Sequence, residues 1–256
     1  MYSISIIMPC LNEQDNILKS MERAIHAIDL YGLDGELIVV NDGSVDSTSA
    51  IVREFARFES RVKFIDNKNN YGIGASFFQG LNISSKELVT MFPGDDENDP
   101  VDALIYLDTM KYVDILIPFI HNIEVRSKFR RVISSVYRFL INLSFGMNLN
   151  YTNGTVIYRK NILDQIQPIS SGFFYQAEML IQLIRSGYVY AETPHFLDLR
   201  KSGNTKAISI KSFLNVSRSY IVLFYRIHIL RSIGRTSNLI VENSATSNRL
   251  RGSKCG

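Results

Sequence analysis

The first 120 residues alternate between two hydrophobic periods, and few folds accept that alternation. Residues 3–8, 36–41, 62–66, 87–92 and 113–118 are short apolar runs rich in Ile, Val and Phe, the pattern of buried strands. Between the first two runs, Ile17, Leu18, Met21, Ile25 and Ile28 recur at helical spacing. Ile51, Val52 and Phe55 do the same between the second and third, behind Asp46, Ser47 and Thr48, which can start a helix. Residues 74–81 and 100–110 are further helix candidates, the second with Pro100 at its first position. Strands alternating with helices predict an α/β fold, with a mainly parallel sheet covered by helices on both faces.

Ligands of such sheets bind beyond the carboxyl ends of the strands. Polar clusters fall there at residues 10–13, 42–44, 67–74 and 93–99. One such cluster is an ordinary loop. Several on one edge predict a composite site.

After residue 120 the pattern changes. Residues 128–145 read as a basic, apolar helix, 155–158 as a strand, and 176–186 as a helix stopped by Gly187. Residues 188–192 and 195–199 read as strands, and 211–233 as a long basic helix. The stretch 236–256 is polar and without period, which predicts a loose tail. The charge changes too. Residues 1–120 hold 9 Lys and Arg against 19 Asp and Glu, whereas residues 121–256 hold 19 against 6. Such a basic half predicts an anionic partner: phosphate, nucleic acid or an acidic membrane. The only cysteines, Cys10 and Cys255, suggest a reducing compartment and no disulfide framework. No basic stretch precedes the first apolar run, so no secretory leader is expected. The longest apolar run near the C-terminus, 220–225, is far short of the ~20 residues that span a bilayer.

The chemistry is concentrated in a few short segments. Asp95, Asp96, Glu97 and Asp99 crowd into five positions and repel one another unless a cation is near. Hard oxygen ligands on a short loop suit Mg²⁺ or Mn²⁺, with Asp95 and Glu97 facing the site and Asp99 capping the helix that begins at Pro100. Val39, Val40, Asn41, Asp42, Gly43 and Ser44 end a strand with a carboxylate, placed to accept hydrogen bonds from a ribose or a base. Gly72 and Gly74 lack the third small residue of a dinucleotide fingerprint, because Phe77 stands there. They are read instead as letting the backbone approach a nucleotide. The histidines show no ligand spacing.

In their order and distances these segments resemble a known family. Ile6 to Glu13, Val39 to Ser44, Asn70 to Ala75, the acidic loop at Asp95, and Asn153 to Arg159 look like the motifs of a family-2 glycosyltransferase of the GT-A fold. The branch most similar is that of the dolichyl- or polyprenyl-phosphate sugar synthases. The resemblance covers residues 3–206. It implies that Pro9, Leu11, Glu13, Asn41, Asp42 and Gly74 hold the nucleotide of a nucleotide diphosphate sugar, and that Asp95 meets metal and diphosphate. The family's Asp-x-Asp becomes Pro93, Gly94, Asp95, so its first aspartate is missing. Glu97 stands where that branch often has Gln, and Asn153 where a Ser is common.

The resemblance also implies a role for the basic half. Arg126, Arg130, Asn153, Arg200 and Lys206 become candidates for the acceptor phosphate, arginine suiting phosphate through its planar fork. Glu178 is a candidate general base, needed only if the acceptor is a sugar hydroxyl; the plainer reading is a favourable charge at a helix N-terminus. The expected layout is a donor half (1–120), an acceptor half (121–210), a basic amphipathic helix (211–235) and a flexible tail (236–256). That helix is expected to lie on a membrane surface or to pack on the chain's own core or a second subunit. The implied function is an inverting transfer from a nucleotide diphosphate sugar to a polyprenyl phosphate, by an enzyme peripheral on the cytoplasmic face of the membrane. A glycan hydroxyl acceptor and a non-catalytic nucleotide-binding protein are the rivals. No nucleic acid partner is expected, since it would leave the acidic loop unexplained.

Overall fold

The computed structural model describes residues 1–164, 166, 168–196, 210–230 and 240–252. A seven-stranded sheet forms its centre, from β1 (Ser3–Cys10), β2 (Asp34–Asp42), β3 (Val62–Asn67), β4 (Leu88–Met91), β5 (Ile115–Ile120), β6 (Ile157–Arg159) and β7 (Tyr190–His195). The spatial order is β3-β2-β1-β4-β6-β5-β7. Every neighbouring pair is parallel except the two made by β6, which runs against both β4 and β5.

Strand residues alternate between two cores, as their period of two requires. Ile4, Ile6 and Met8 of β1, with Leu37 and Val39 of β2, face one side, against α1 (Ile17–Leu30) and α4 (Pro100–Leu104). Ile7, Ile38 and Val40 face the other, against α3 (Ile73–Ile83) and α7 (Tyr175–Arg185). Both faces are therefore covered, which is why β1 and β2 read as continuous apolar runs. α2 (Thr48–Phe58) joins the first layer through Val52. α6 (Lys160–Leu163) joins the second through Ile162 and Leu163. A third core unites α5 (Lys128–Phe145), α7 and α8 (Ile210–His228) through Ile141, Phe145, Phe174, Ile181, Leu223 and Ile227.

The chain steps outward from β1 to β2 and β3, then returns to place β4 on the other side of β1. That reversal opens a crevice beyond the carboxyl ends of β1 and β4, the place where open α/β sheets bind ligands. The loops that open it are 11–16 and 92–99.

Four expectations differ from the structure. The long helix expected over 211–233, within the 211–235 segment, is α8, which ends at His228; residues 231–235 lie outside the described residues. The helix expected over 100–110 ends at Leu104, and a 3-10 turn, Leu107–Lys111, follows after Tyr106 at φ −93° and ψ 12°. The strands expected at 188–192 and 195–199 are one strand, β7, paired with β5 through His195; residues 197–199 lie outside the described residues. The expected loose tail contains α9 (Ala245–Gly252), whose first residues are buried. Its N-terminus is tied to the sheet by Asp114, wholly buried, which accepts hydrogen bonds from the N–H groups of Ala245 (2.6 Å) and Thr246 (3.0 Å). A carboxylate is a favourable partner for the unsatisfied donors of a helix start. Asp114 is too far away in sequence for any local pattern to announce the pairing.

Candidate active site

Beyond the carboxyl ends of β1 and β2 the two loops are cross-linked. Asn12 N donates to Ser44 Oγ at 2.8 Å, and Val45 N donates to Asn12 Oδ1 at 2.9 Å. Glu13 N donates to Thr48 Oγ1 at 2.9 Å. Asn12 holds φ +50°, an uncommon left-handed backbone that Asn tolerates better than most residues. Glu13 is buried and accepts from Asn16 Nδ2 at 2.8 Å. Asn41 donates to Asp66 Oδ1 at 2.7 Å and accepts from Ser44 N at 3.1 Å. The Pro9 carbonyl accepts from Gly94 N at 3.0 Å, so the end of β1 and the acidic loop form one unit. Pro9, Leu11, Glu13, Asn41, Asp42, Asp95 and Glu97 thus gather on the edge where the sheet opens.

The acidic loop is less repulsive than its sequence implies. Asp96, at φ +56°, is held by Lys19 and by Arg23 (2.8 Å), both on α1. Arg23 also meets Asp99 at 2.6 Å, and Asp99 caps α4 by accepting from Val101 N at 2.9 Å, as expected. Lys19 and Arg23 were not singled out from the sequence; their four-residue spacing on α1 is the signal that could have found them. Asp95 is half-buried and accepts from Glu97 N at 3.2 Å, and Glu97 is 9% exposed. Among the described residues no three His, Cys, Asp or Glu side chains cluster as a ready-made metal cage. Asp95 and Glu97 still match the usual Mg²⁺ donor set of one or two carboxylates, completed by waters and substrate phosphates.

Two expected nucleotide contacts are otherwise engaged. Asp42 is 4% exposed, and its oxygens accept from Tyr71 N (2.8 Å) and Gly72 N (2.9 Å). It organises the 70–72 turn rather than presenting an open carboxylate. Gly74 brings its backbone against another segment of the same chain. Gly74 N and Ala75 N donate to the Ser171 carbonyl at 2.8 and 3.1 Å. A Cβ on Gly74 would lie 2.9 Å from that carbonyl, and one on Gly72, at φ +99°, only 2.6 Å from it.

The second half reaches the same edge through β5, which is parallel to β7 and ends in the turn Ile123–Val125. Arg126 donates to Tyr151 Oη at 2.9 Å and lies 5.6 Å from its ring centroid. Arg130 sits in the first turn of α5, which Ser127 caps. Asn153 is exposed and bonded to Tyr137. Arg200 and Lys206 lie outside the described residues. His195, given no role from sequence, is buried and bridges β7 to α4 through Asp102 at 2.9 Å.

Glu178 departs furthest from its expected role. It is 1% exposed, and its carboxylate accepts from Ile169 N (2.7 Å), Ser170 N (2.9 Å) and Gln182 Nε2 (3.0 Å). Burial pushes its pKa up to about 7, against the pull of those donors and of Arg226. As a general base it would need an open path to an acceptor hydroxyl, and this geometry gives none. Nearby, a cleft of about 550 Å³ opens between Asn70–Gly72, Ser170–Gly172 and the α8 residues Arg218 and Ser219.

A crevice with an acidic loop at the switch point of an open, mainly parallel sheet covered on both faces defines a Rossmann-like α/β architecture. The chain belongs to glycosyl transferase family 2, whose model matches residues 5–172. It is 27% identical over 168 residues to the dodecaprenyl-phosphate galacturonate synthase of Rhizobium johnstonii, a match covering 64% of this chain and 50% of that protein. It is 30% identical over 148 residues to the undecaprenyl-phosphate 4-deoxy-4-formamido-L-arabinose transferase of Edwardsiella ictaluri, covering 57% of this chain and 46% of that one. The matches thus span about half the length of these relatives. The structure is similar to the UDP complex of glucosyl-3-phosphoglycerate synthase from Mycobacterium tuberculosis, with a TM-score of 0.66 at 18% identity, covering 94% of this chain and 83% of that one. The fold is GT-A. Related crystal structures of that synthase contain UDP with Mg²⁺ or Mn²⁺.

Proposed function

We propose that this chain transfers a sugar from a nucleoside diphosphate sugar to a polyprenyl phosphate presented at a membrane surface. One observation favours a lipid acceptor. α5 and α8 pack together beside the site, yet both keep exposed apolar faces. On α5 these are Phe129, Val132, Ile133, Val136, Phe139, Leu140 and Leu143. On α8 they include Phe213, Leu214, Ile221 and Tyr225, with Ile229 just beyond its end. Neither helix contains an acidic residue, while Lys128, Arg130, Arg131 and Arg138 on α5 and Arg218 and Arg226 on α8 are basic. An apolar face flanked only by cations suits the interface of an anionic bilayer. The sequence offered two readings of α8, and it supports both in part: Leu223 and Ile227 bury against the chain's own core while the other face stays open. No helix among the described residues is long and apolar enough to cross a membrane.

In this reading the first half (1–120) binds the donor and the second (121–210) the acceptor. Pro9, Leu11 and Asn41 border the nucleoside. Asp95 and Glu97 would hold a Mg²⁺ or Mn²⁺ ion shared with the diphosphate. That ion would supply charge stabilisation for the departing nucleoside diphosphate. Arg126 and Arg130 lie on the same edge as candidate phosphate partners, with Arg200 and Lys206 as further ones from the sequence. An acceptor phosphate is already ionised near neutral pH and attacks the anomeric carbon in line, inverting it, without a protein base. The buried state of Glu178 is consistent with that and disfavours the glycan-hydroxyl rival.

The test is a panel of nucleoside diphosphate sugars incubated with undecaprenyl phosphate in anionic vesicles and Mg²⁺. A chloroform-soluble, sugar-labelled product is expected for at least one donor. Transfer only to soluble glycans, or donor binding with no product, would replace the proposal.

A further inference from the structure

The hydrogen bonds around Glu178 form a continuous chain across the molecule. Asp42, at the end of β2, accepts from Tyr71 N and Gly72 N. The next turn, through Gly74 N and Ala75 N, donates to the Ser171 carbonyl. The residues just before Ser171, Ile169 and Ser170, donate their N–H groups to Glu178. The 70–75 segment from the first half and the 169–172 segment from the second are thereby held back to back by two buried carboxylates. The same two segments form the walls of the cleft beneath α8.

Close packing makes the contact stiff. Gly72 and Gly74 bring the backbone against Ser171 so closely that no Cβ fits at either position. Displacing one segment therefore displaces the other. Gln182, one turn along α7, donates to Glu178 Oε1 and keeps the carboxylate aimed at the loop.

We infer that Glu178 is a positioning residue that sets the Ile169–Gly172 loop against the Gly72–Gly74 turn and so shapes the cleft where the acceptor meets the donor half. It never touches the reacting atoms. The cleft's role for the acceptor, and so the kinetic test, rests on the proposed function; the setting of the loop by Glu178 does not.

At pH 8, where Glu178 is ionised, Glu178→Gln keeps the size but puts an amide donor against one of the two backbone N–H groups. Two readouts follow. Amide hydrogen exchange, which needs no substrate, should accelerate in 169–172 and 72–75 together, while β1 and β2 stay protected. In the vesicle assay the KM for undecaprenyl phosphate should rise about tenfold, with kcat within about threefold, as for a loss of ground-state binding. Loss of a general base would instead lower kcat by about 10² or more at unchanged KM, and that result overturns the inference. So does unchanged exchange in both segments. If Glu178→Gln does not fold, Gly74→Ala probes the same contact from the other side, since its Cβ must push Ser171 away. It should loosen 169–172 in the same way; protection retained there would also overturn the inference. Should no donor give transfer to undecaprenyl phosphate, the function proposal fails while the exchange result still decides this one.

Discussion

Asp95 and Asp96 are adjacent carboxylates with different tasks. Asp96 is pinned by Lys19 and Arg23, which hold its carboxyl below the usual aspartate range against the opposing effect of burial. Asp95, beside Glu97, is the better candidate for a metal and diphosphate. Asp95→Asn should therefore leave the thermal midpoint nearly unchanged but lower turnover by about 10² or more, the scale of a lost charge-stabilising contact. Transfer in excess EDTA equal to transfer in Mg²⁺ would remove the metal from the mechanism. Glu178 makes a second prediction, in stability. Its folded pKa of about 7 lies above the ordinary 4.5. Between those values the native state keeps a proton that the unfolded chain has released. The stability this confers is fully present below pH 4.5 and is lost as pH rises through 7. The thermal midpoint of the native protein should fall across that window relative to Glu178→Gln. Parallel pH profiles for the two proteins would contradict the assignment.

At the scale of elements, α5 and α8 matter most. Each buries one stripe in the third core and leaves another in solvent. The exposed apolar stripe along α5 is of the kind that marks an interaction surface, for a membrane or for a second protein. Replacing Phe129, Val136 and Phe139 together with Ser should barely alter folding, because all are well exposed. It should weaken binding to phosphatidylglycerol vesicles at least tenfold, since burying each such side chain is worth about 1.5 kcal/mol or more. Binding should also weaken as salt screens the basic residues. Equal binding by variant and native protein in a flotation assay would rule out α5 as the contact. The arginines expected near the acceptor divide between tasks at this scale: Arg126 stacks on Tyr151, whereas Arg130 lies at the start of α5, where site and apolar face meet.

Over the whole molecule, Asp114 joins distant parts of the chain. Besides the start of α9 it faces Arg159 Nε of β6 at 3.4 Å, and Arg159 also reaches Glu87 at 2.6 Å. Asp114→Ala would strand buried donors on both partners and should cost about 3 kcal/mol in urea unfolding. Exchange at 240–252 should rise in the same variant; if it stays slow, α9 is held by its apolar contacts instead. The parallel core of this molecule was legible from residue order, because strands covered on both faces must be apolar throughout and their helices must carry one apolar stripe. The edge that carries the site was legible too, since polar clusters after successive strands can only share one end of a parallel sheet. The contacts of individual residues were not. The bonds of Asp42 to the 70–72 turn, the contact of Gly74 with Ser171 and the hold of Asp114 on the 236–256 segment were hidden because those partners lie far away in sequence. Glu178, read as a base only for a hydroxyl acceptor and otherwise as a charge at a helix start, has its partners within nine residues, and what stayed hidden there was its burial. Local periodicity reports which face of an element is apolar, and that determines the layers. Which donor meets which carboxylate depends on distances between segments that only the packed chain sets, and there the tertiary structure decided.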